Sequence, residues 1–265
     1  MNILDRIIEH KRILVAERKL SLPVDLLEQT EDFSRPVLSL REYLLNEDLT
    51  GIIAEFKRKS PSKGWIHEGA DVKQITAAYE NHGAAALSIL TDYEFFGGSN
   101  ADLEEARFNP IPILRKEFIV DEYQVLEAKS IGADAILLIA ACLTRQEIRS
   151  LARLARSLGL EVLLELHEED EIGHICEETG IVGINNRNLK TFTVNMDRSL
   201  KMAELIPTEL VKVTESGISS LEQITLFKKN GFRGFLIGEH FMKEKEPGIA
   251  FASFVNKLKN FVHED

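Results

Sequence analysis

Glu55 and Lys57 are the first residues in the chain whose types and spacing suit proton chemistry. They close the stretch Gly-Ile-Ile-Ala-Glu-Phe-Lys-Arg-Lys-Ser-Pro-Ser, which runs from Gly51 to Ser62 and begins as an apolar strand. Alternate side chains of a strand share a face, so Glu55 and Lys57 point one way and Phe56 the other. An acid and a base turned into a closed sheet are costly to desolvate unless they pair or do chemistry. If the strand has already ended, both are simply solvated. Other apolar runs end alike. Lys116 lies two positions after Leu114, and Glu165 two after Leu163. Asn185 with Arg187, Glu215-Ser216-Gly217 and Gly238-Glu239 finish three more runs. One such ending is ordinary solvent exposure; acids, bases and amides converging on one rim make a catalytic site.

The elements that must bring these residues together alternate regularly. Strand candidates are Ile52–Phe56, Ala85–Leu90, Ile111–Arg115, Ala135–Ile139, Val162–Leu166, Ile181–Ile184, Val211–Thr214 and Phe235–Ile237. Between them lie helical segments such as Val72–His82, Asp121–Ile131, Arg145–Leu158 and Leu221–Lys229, which gives right-handed parallel crossovers. Gly83, Gly132, Gly159, Gly180 and Gly231 follow helical segments, where a left-handed C-cap calls for glycine. Eight such units predict an α/β fold, a (β/α)8 TIM barrel whose chemistry sits at the C-terminal strand ends. An open doubly wound sheet usually carries a Gly-rich loop after its first strand; here that place holds Lys-Arg-Lys-Ser-Pro-Ser. The starts of the strands are mostly Gly, Ala and Pro, with little chemistry. The loops Ser216-Gly217-Ile218-Ser219 and Ile237-Gly238-Glu239-His240 follow the last two strands, where barrels often bind phosphate through backbone N–H groups. Lys57 is placed to neutralise the same dianion. The plain alternative is that these glycines only form tight turns.

Residues 1–48 are expected to be a helical extension and residues 49–265 the barrel, together one domain. Ile3, Leu4, Ile7, Ile8 and Leu14 recur at helical spacing; Leu22-Pro23 breaks that helix, Phe33-Ser-Arg-Pro36 marks a second joint, and Leu38–Leu45 is a short helix. This piece covers one end of the barrel or holds substrate from the side. The chain closes in a helix over Phe251–Val262, and no fusion partner is expected. The formal charge of −11 argues against nucleic acid or anionic membrane as partners. Met1–Leu20 mixes charges with Ile and Leu, so no secretory signal is expected. Cys142 and Cys176 show neither metal-ligand nor disulfide spacing, and a cytoplasmic monomer is expected. His10, His67, His82, His167, His174, His240 and His263 are scattered, without the paired spacing of a metal site, and are read mostly as surface residues. Trp65 lines the site or merely packs. The run Glu168-Glu169-Asp170-Glu171 reads as the first turn of a helix.

On these residues the chain resembles the indole-3-glycerol phosphate synthase family. The resemblance covers nearly the whole length. It rests on Ile-Ile-Ala-Glu55-Phe-Lys57-Arg-Lys-Ser60-Pro-Ser, Ile-Leu-Arg-Lys116-Glu-Phe-Ile and Gly-Ile-Asn185-Asn-Arg187-Asn-Leu. Leu-Leu-Glu165-Leu-His, Glu215-Ser216-Gly217-Ile and Phe-Leu-Ile-Gly238 add support. The resemblance implies closure of 1-(2-carboxyphenylamino)-1-deoxyribulose 5-phosphate to indole-3-glycerol phosphate with loss of CO2 and water, without metal or organic cofactor. It implies Lys116 as general acid toward the ribulose carbonyl and Glu165 as general base in the dehydration. Lys57 matches a lysine that meets carboxylate or phosphate and assists the dehydration. Glu55, Asn185, Arg187, Glu215 and Ser216 match residues that hold substrate or orient the catalytic groups. Ser60, Gly217, Gly238 and Glu239 match phosphate-loop positions, and Leu137 and Ile139 apolar positions beside the anthranilate ring. The chemistry suits the residue types: an ammonium activates a carbonyl, a lysine near other cations has a lowered pKa, arginine grips carboxylate in a fork, and an apolar wall strips water from a departing carboxylate. Two other readings stand beside it: another phosphate-binding barrel enzyme, either a ribose-phosphate isomerase or a Schiff-base lyase using Lys116, and a non-catalytic metabolite sensor, which has no need for both Lys116 and Glu165.

Overall fold

The computed structural model describes residues 3–188 and 193–262; His263 and the Leu189 that ends the Asn185 motif lie outside them. Eight parallel strands form a closed barrel: β1 (Ile52–Phe56), β2 (Ala86–Leu90), β3 (Ile113–Lys116), β4 (Ala135–Ile139), β5 (Glu161–Leu166), β6 (Ile181–Asn185), β7 (Val211–Glu215) and β8 (Phe232–Ile237). Each pairs with its successor, and β8 closes onto β1 with Phe235 opposite Ile52. Three strands run further than the apolar pattern suggests. β3 takes in Lys116, β6 Asn185 and β7 Glu215, so these polar residues are the last rungs of the sheet. β3 starts at Ile113, not Ile111, because Pro112 has no N–H to give the ladder. β8 starts early, at Phe232, through a register irregularity before Gly234.

Alternation divides the apolar residues into two bodies. Inward-facing Ile53, Leu114, Leu137, Leu163, Val213 and Leu236 fill the barrel. Outward-facing Ile52, Phe56, Ile89, Leu138, Leu164 and Phe235 pack beneath the helices. The helices begin where short polar side chains satisfy open N–H groups: Asp71 accepts from Gln74, and Thr144 and Ser220 form reciprocal pairs with Glu147 and Gln223. Gly83, Gly132, Gly159 and Gly231 adopt the expected left-handed backbone, but Gly180 does not. No α-helix precedes Gly180 for it to cap: the acidic run leads only into a 3-10 turn, Glu169–His174, closed by a reciprocal pair between Glu168 and Glu171.

The N-terminal segment covers both mouths of the barrel. Its long helix, Ile3–Ser21, crosses the C-terminal mouth. It is held there by Lys11, buried against Asp92 at 2.8 Å and Glu117 at 2.9 Å, just beyond β2 and β3. Its short helix, Leu40–Leu45, inserts Leu40 and Leu44 into the inner core at the opposite mouth. There Asp134, fully buried ahead of β4, accepts from Arg35 (2.7 Å), Leu38 N (2.9 Å), Ile113 N (2.8 Å) and Arg107.

Candidate active site

The C-terminal mouth encloses a cavity of about 420 Å³, within the range that holds a small metabolite. Every residue singled out from the strand ends and the resemblance lines it: Glu55, Lys57, Ser60, Lys116, Leu137, Ile139, Glu165, Asn185, Arg187, Glu215, Ser216, Gly217, Gly238 and Glu239. Strand alternation explains the convergence. Glu55, Lys116, Glu165 and Glu215 keep the inward parity of Ile53, Leu114, Leu163 and Val213 two places earlier, so the layer that caps the inner core is charged.

Lys116 stands at the centre. Its Nζ lies 3.1 Å from Glu165 Oε2 and 2.9 Å from Glu215 Oε2. Burial by itself would lower the lysine, but the carboxylates of Glu165, Glu215 and Glu55 outweigh it and hold the ammonium well above its usual range. The expectation of a lysine depressed by neighbouring cations is therefore reversed, because its neighbours are acids. The two carboxyls respond in opposite ways. Burial works to raise Glu165, yet Lys116 and His167 bring it well below the ordinary carboxylate range. Glu215 is pushed up to about 7, first by burial and then by the nearby Glu165 charge, against the pull of Lys116. One acid stays ionised while its neighbour keeps a proton near neutrality, the separation that assigns different roles to paired carboxyls.

Asn185 donates its amide to Glu165 Oε1 (3.3 Å) and accepts from the Arg187 N–H (3.0 Å), which fixes its orientation. Glu55 accepts from Lys57 at 2.5 Å. Two glycines make room for these carboxylates. A Cβ on Gly238 would overlap the Glu55 side chain, and one on Gly183, inside β6, would overlap the Glu215 carboxylate. Neither substitution fits without moving an acid of the site.

The cavity has two kinds of wall. At one, Ser216 and Gly217 adopt consecutive left-handed conformations (φ 67° and 76°), and Gly238 leads into the short helix Glu239–Met242. Successive turns of this kind aim N–H groups into one concavity. Ser60 Oγ, buried beside them, has no hydrogen-bond partner among the described residues. The Glu239 carboxylate is taken up by Lys63 (2.6 Å) and lies 3.8 Å from Arg187. Lys63 sits in the turn between the two-residue strands Lys59–Ser60 and Gly64–Trp65, so the Ser60-Pro-Ser loop is drawn over the cavity. The other wall is apolar: Leu137 and Ile139, joined by Phe96, Phe118 and, from the N-terminal helix, Ile3, Leu4 and Ile7.

Several of these were not legible as site residues. Ile3, Leu4 and Ile7 showed helical spacing but no destination; Phe96 and Phe118 sit beyond strand ends without a charge to mark them. His167 departs from the surface reading. It is 4 % exposed, with Nε2 3.1 Å from Glu165 Oε1, though poorly aligned for a hydrogen bond. Its position two residues after Glu165 was the signal available. Trp65 is half exposed and packs against Gly97 with Lys59 over its ring, away from the cavity. Among the described residues no group of three or more His, Cys, Asp or Glu is arranged to hold a metal ion, and no helix is long and apolar enough to cross a membrane.

Comparison with known proteins shows the family. The model of the indole-3-glycerol phosphate synthase family matches residues 4–254. The chain belongs to that family. It is accordingly a lyase, a decarboxylase of tryptophan biosynthesis. Indole-3-glycerol phosphate synthase of Bacteroides thetaiotaomicron is 46% identical over 97% of this chain and 99% of its own. Those of Burkholderia vietnamiensis and Polynucleobacter asymbioticus are 44% and 42% identical, each over 95% of this chain and 98% of its own. Among solved structures, a chain of the tryptophan synthase α2β2 complex from Pyrococcus furiosus superposes with a TM-score of 0.57 at 16% identity, over 79% of this chain and 97% of its own. A native KDPGal structure does so at 0.59 and 14%, over 83% and 97%. At such identities these two speak for the barrel alone.

Proposed function

We propose that this cavity closes 1-(2-carboxyphenylamino)-1-deoxyribulose 5-phosphate to indole-3-glycerol phosphate, with Lys116 as general acid and Glu165 as general base. The observation that carries the division of roles is the ammonium of Lys116 held between two carboxyls with opposed proton affinities. The ring carbon bearing the carboxylate attacks the ribulose carbonyl while Lys116 Nζ gives a proton to its oxygen. The new carbon–carbon bond forms, CO2 departs with its bonding electrons returned to the ring, and aromaticity is restored. Glu165 then removes a proton from the carbon beside nitrogen as the new hydroxyl leaves as water. Lys57 protonates that leaving hydroxyl or holds the phosphate, with Glu55 fixing its position.

The phosphate is assigned to Ser60, Gly217, Gly238, the Glu239 N–H and Lys57, and the substrate carboxylate to Arg187. The anthranilate ring is assigned to Leu137 and Ile139, where an apolar surrounding favours loss of CO2 from a carboxylate stripped of water. Glu215 and Ser216 hold Lys116 and the sugar, and Asn185 orients Glu165. In this reading residues 1–48 extend a barrel of residues 49–265 within one domain, and the chain works as a cytoplasmic monomer without metal or organic cofactor. Neither a sensor nor an isomerase accounts for the carboxylate-clamped lysine beside an apolar wall.

The test is the fluorescence rise of an indole product on mixing the chain with the carboxyphenylamino substrate, without added metal. Absence of product rejects the reading. For Glu165→Gln a fall in kcat of about a hundredfold or more at nearly constant KM is expected; a raised KM with normal kcat contradicts the assignment of the base.

A further inference from the structure

The imidazole of His167 lies outside the cavity lining and takes no part in the chemistry just described, yet it is among the most buried ionisable groups of the mouth. Its two nitrogens face carboxylates. Nε2 is 3.1 Å from Glu165 Oε1, and Nδ1 is 3.9 Å from Glu171 Oε2 in the turn after β5. The charged groups around it are Glu165 on β5, Glu171 on that turn, Glu215 on β7 and Lys116 on β3 behind Glu165; the Cys142 thiol, on the turn after β4, faces the same Glu165 and Glu171 and also Asp5 of the N-terminal helix. Burial disfavours the imidazolium, but Glu165, Glu171 and Glu215 together raise it above the ordinary histidine range. Burial and nearby carboxylates push the Cys142 thiol upward, so it stays neutral.

The two oxygens of Glu165 are thus served from opposite sides: Oε2 by Lys116, Oε1 by His167 and the Asn185 amide. That matters because Lys116 does not keep its charge. Once its proton has gone to the carbonyl oxygen, the counter-ion at Oε2 is neutral while Glu165 is still needed as an ionised base. A buried carboxylate that loses its only cation takes up a proton from the nearest donor. We propose that His167 is a positioning residue, the second cation that keeps Glu165 ionised and aimed between ring closure and dehydration. This inference rests on the roles proposed above for Lys116 and Glu165.

The experiment is single turnover with the whole chain, following CO2 release and indole formation separately in wild type, His167→Gln, His167→Leu and Glu165→Gln. His167→Gln keeps a donor of similar reach without the charge. Both His167 variants are expected to release CO2 at the wild-type rate and to form indole about tenfold more slowly or worse. In wild type, indole formation is expected to fall at alkaline pH as the imidazolium titrates, and in His167→Gln that limb disappears. A second variant leaves His167 in place: Glu171→Gln removes a carboxylate that favours the imidazolium, so the alkaline limb is expected to move to lower pH. Unchanged indole formation in the His167 variants, equal slowing of both steps, or an unmoved limb in Glu171→Gln overturns the inference. If Glu165→Gln forms indole normally, the underlying assignment of the base has failed instead.

Discussion

Two groups of buried carboxyls lie at opposite ends of the same barrel, and they are satisfied in opposite ways. Asp134, below β4, receives two arginines and two backbone N–H groups, so both oxygens are fully engaged. Glu165 and Glu215, at the ends of β5 and β7, share one lysine and crowd each other enough that their proton affinities diverge. The first arrangement ties the N-terminal segment to the sheet and leaves no surplus capacity. The second borders a cavity and keeps charge in a state that a ligand can redistribute. Burial and ion pairing are common to both; what separates structure from chemistry is whether the carboxyl oxygens are all taken up by the protein, as at Asp134, or left with capacity beside a cavity, as at Glu215 Oε1.

The largest effect expected from breaking this contrast is at the lower end. Asp134→Ala strands Arg35 and Arg107 and two amides, and a loss of about 3–5 kcal/mol is expected. Denaturant titration reads it. A loss below about 1 kcal/mol would mean that the network is ornamental.

Lys11 tests the contrast from the other side, since it sits at the catalytic mouth but its carboxylates, like Asp134, are also engaged by backbone N–H groups of the protein. For Lys11→Met a loss of about 2–3 kcal/mol is expected, less than at Asp134 because the N-terminal helix can lift and let Asp92 and Glu117 reach water. Lifting also removes Ile3, Leu4 and Ile7 from the apolar wall, so KM should rise more than kcat falls. A fall in kcat alone would place Lys11 in the chemistry.

The smallest effect concerns Glu215. Its folded pKa is raised from 4.5 to about 7, so its contribution to stability is complete below about 4.5 and is lost as pH climbs through about 7. Glu215→Gln lacks that loss and is expected to gain about 2 kcal/mol on wild type between pH 5 and 7. Parallel stability curves would show that the two carboxyls are not crowded.

Much of the barrel was legible because the apolar runs repeat with polar interruptions and the helices ahead of β2, β4, β5 and β8 end at a glycine. The polar rim was legible for the same reason: an acid or a base that continues the inward parity of an apolar run is conspicuous. What escaped depends on partners distant in sequence. Lys11 reads as a surface lysine on an amphipathic helix until the fold places Asp92 and Glu117 around it. Arg115 sits one residue before Lys116 on the outward face, where Glu127 at 2.5 Å, with Thr91, Asn100 and the Gln124 carbonyl, makes a fully buried guanidinium tolerable. His167 stands next to an acidic run that suggests solvent. The helix expected there forms as a six-residue 3-10 helix, Glu169–His174, and the ring just ahead of it lies against Glu165.

The central contrast is tested most directly by measuring turnover and unfolding free energy of Lys116→Ala together at pH 6, where Glu215 largely holds its proton. The expected result is a fall in turnover of about a hundredfold or more with stability within about 1 kcal/mol of wild type, because Glu215 holds its proton at this pH and His167 still faces Glu165 when the ammonium is gone. Near-normal turnover, or a stability loss as large as that of Asp134→Ala, would contradict it.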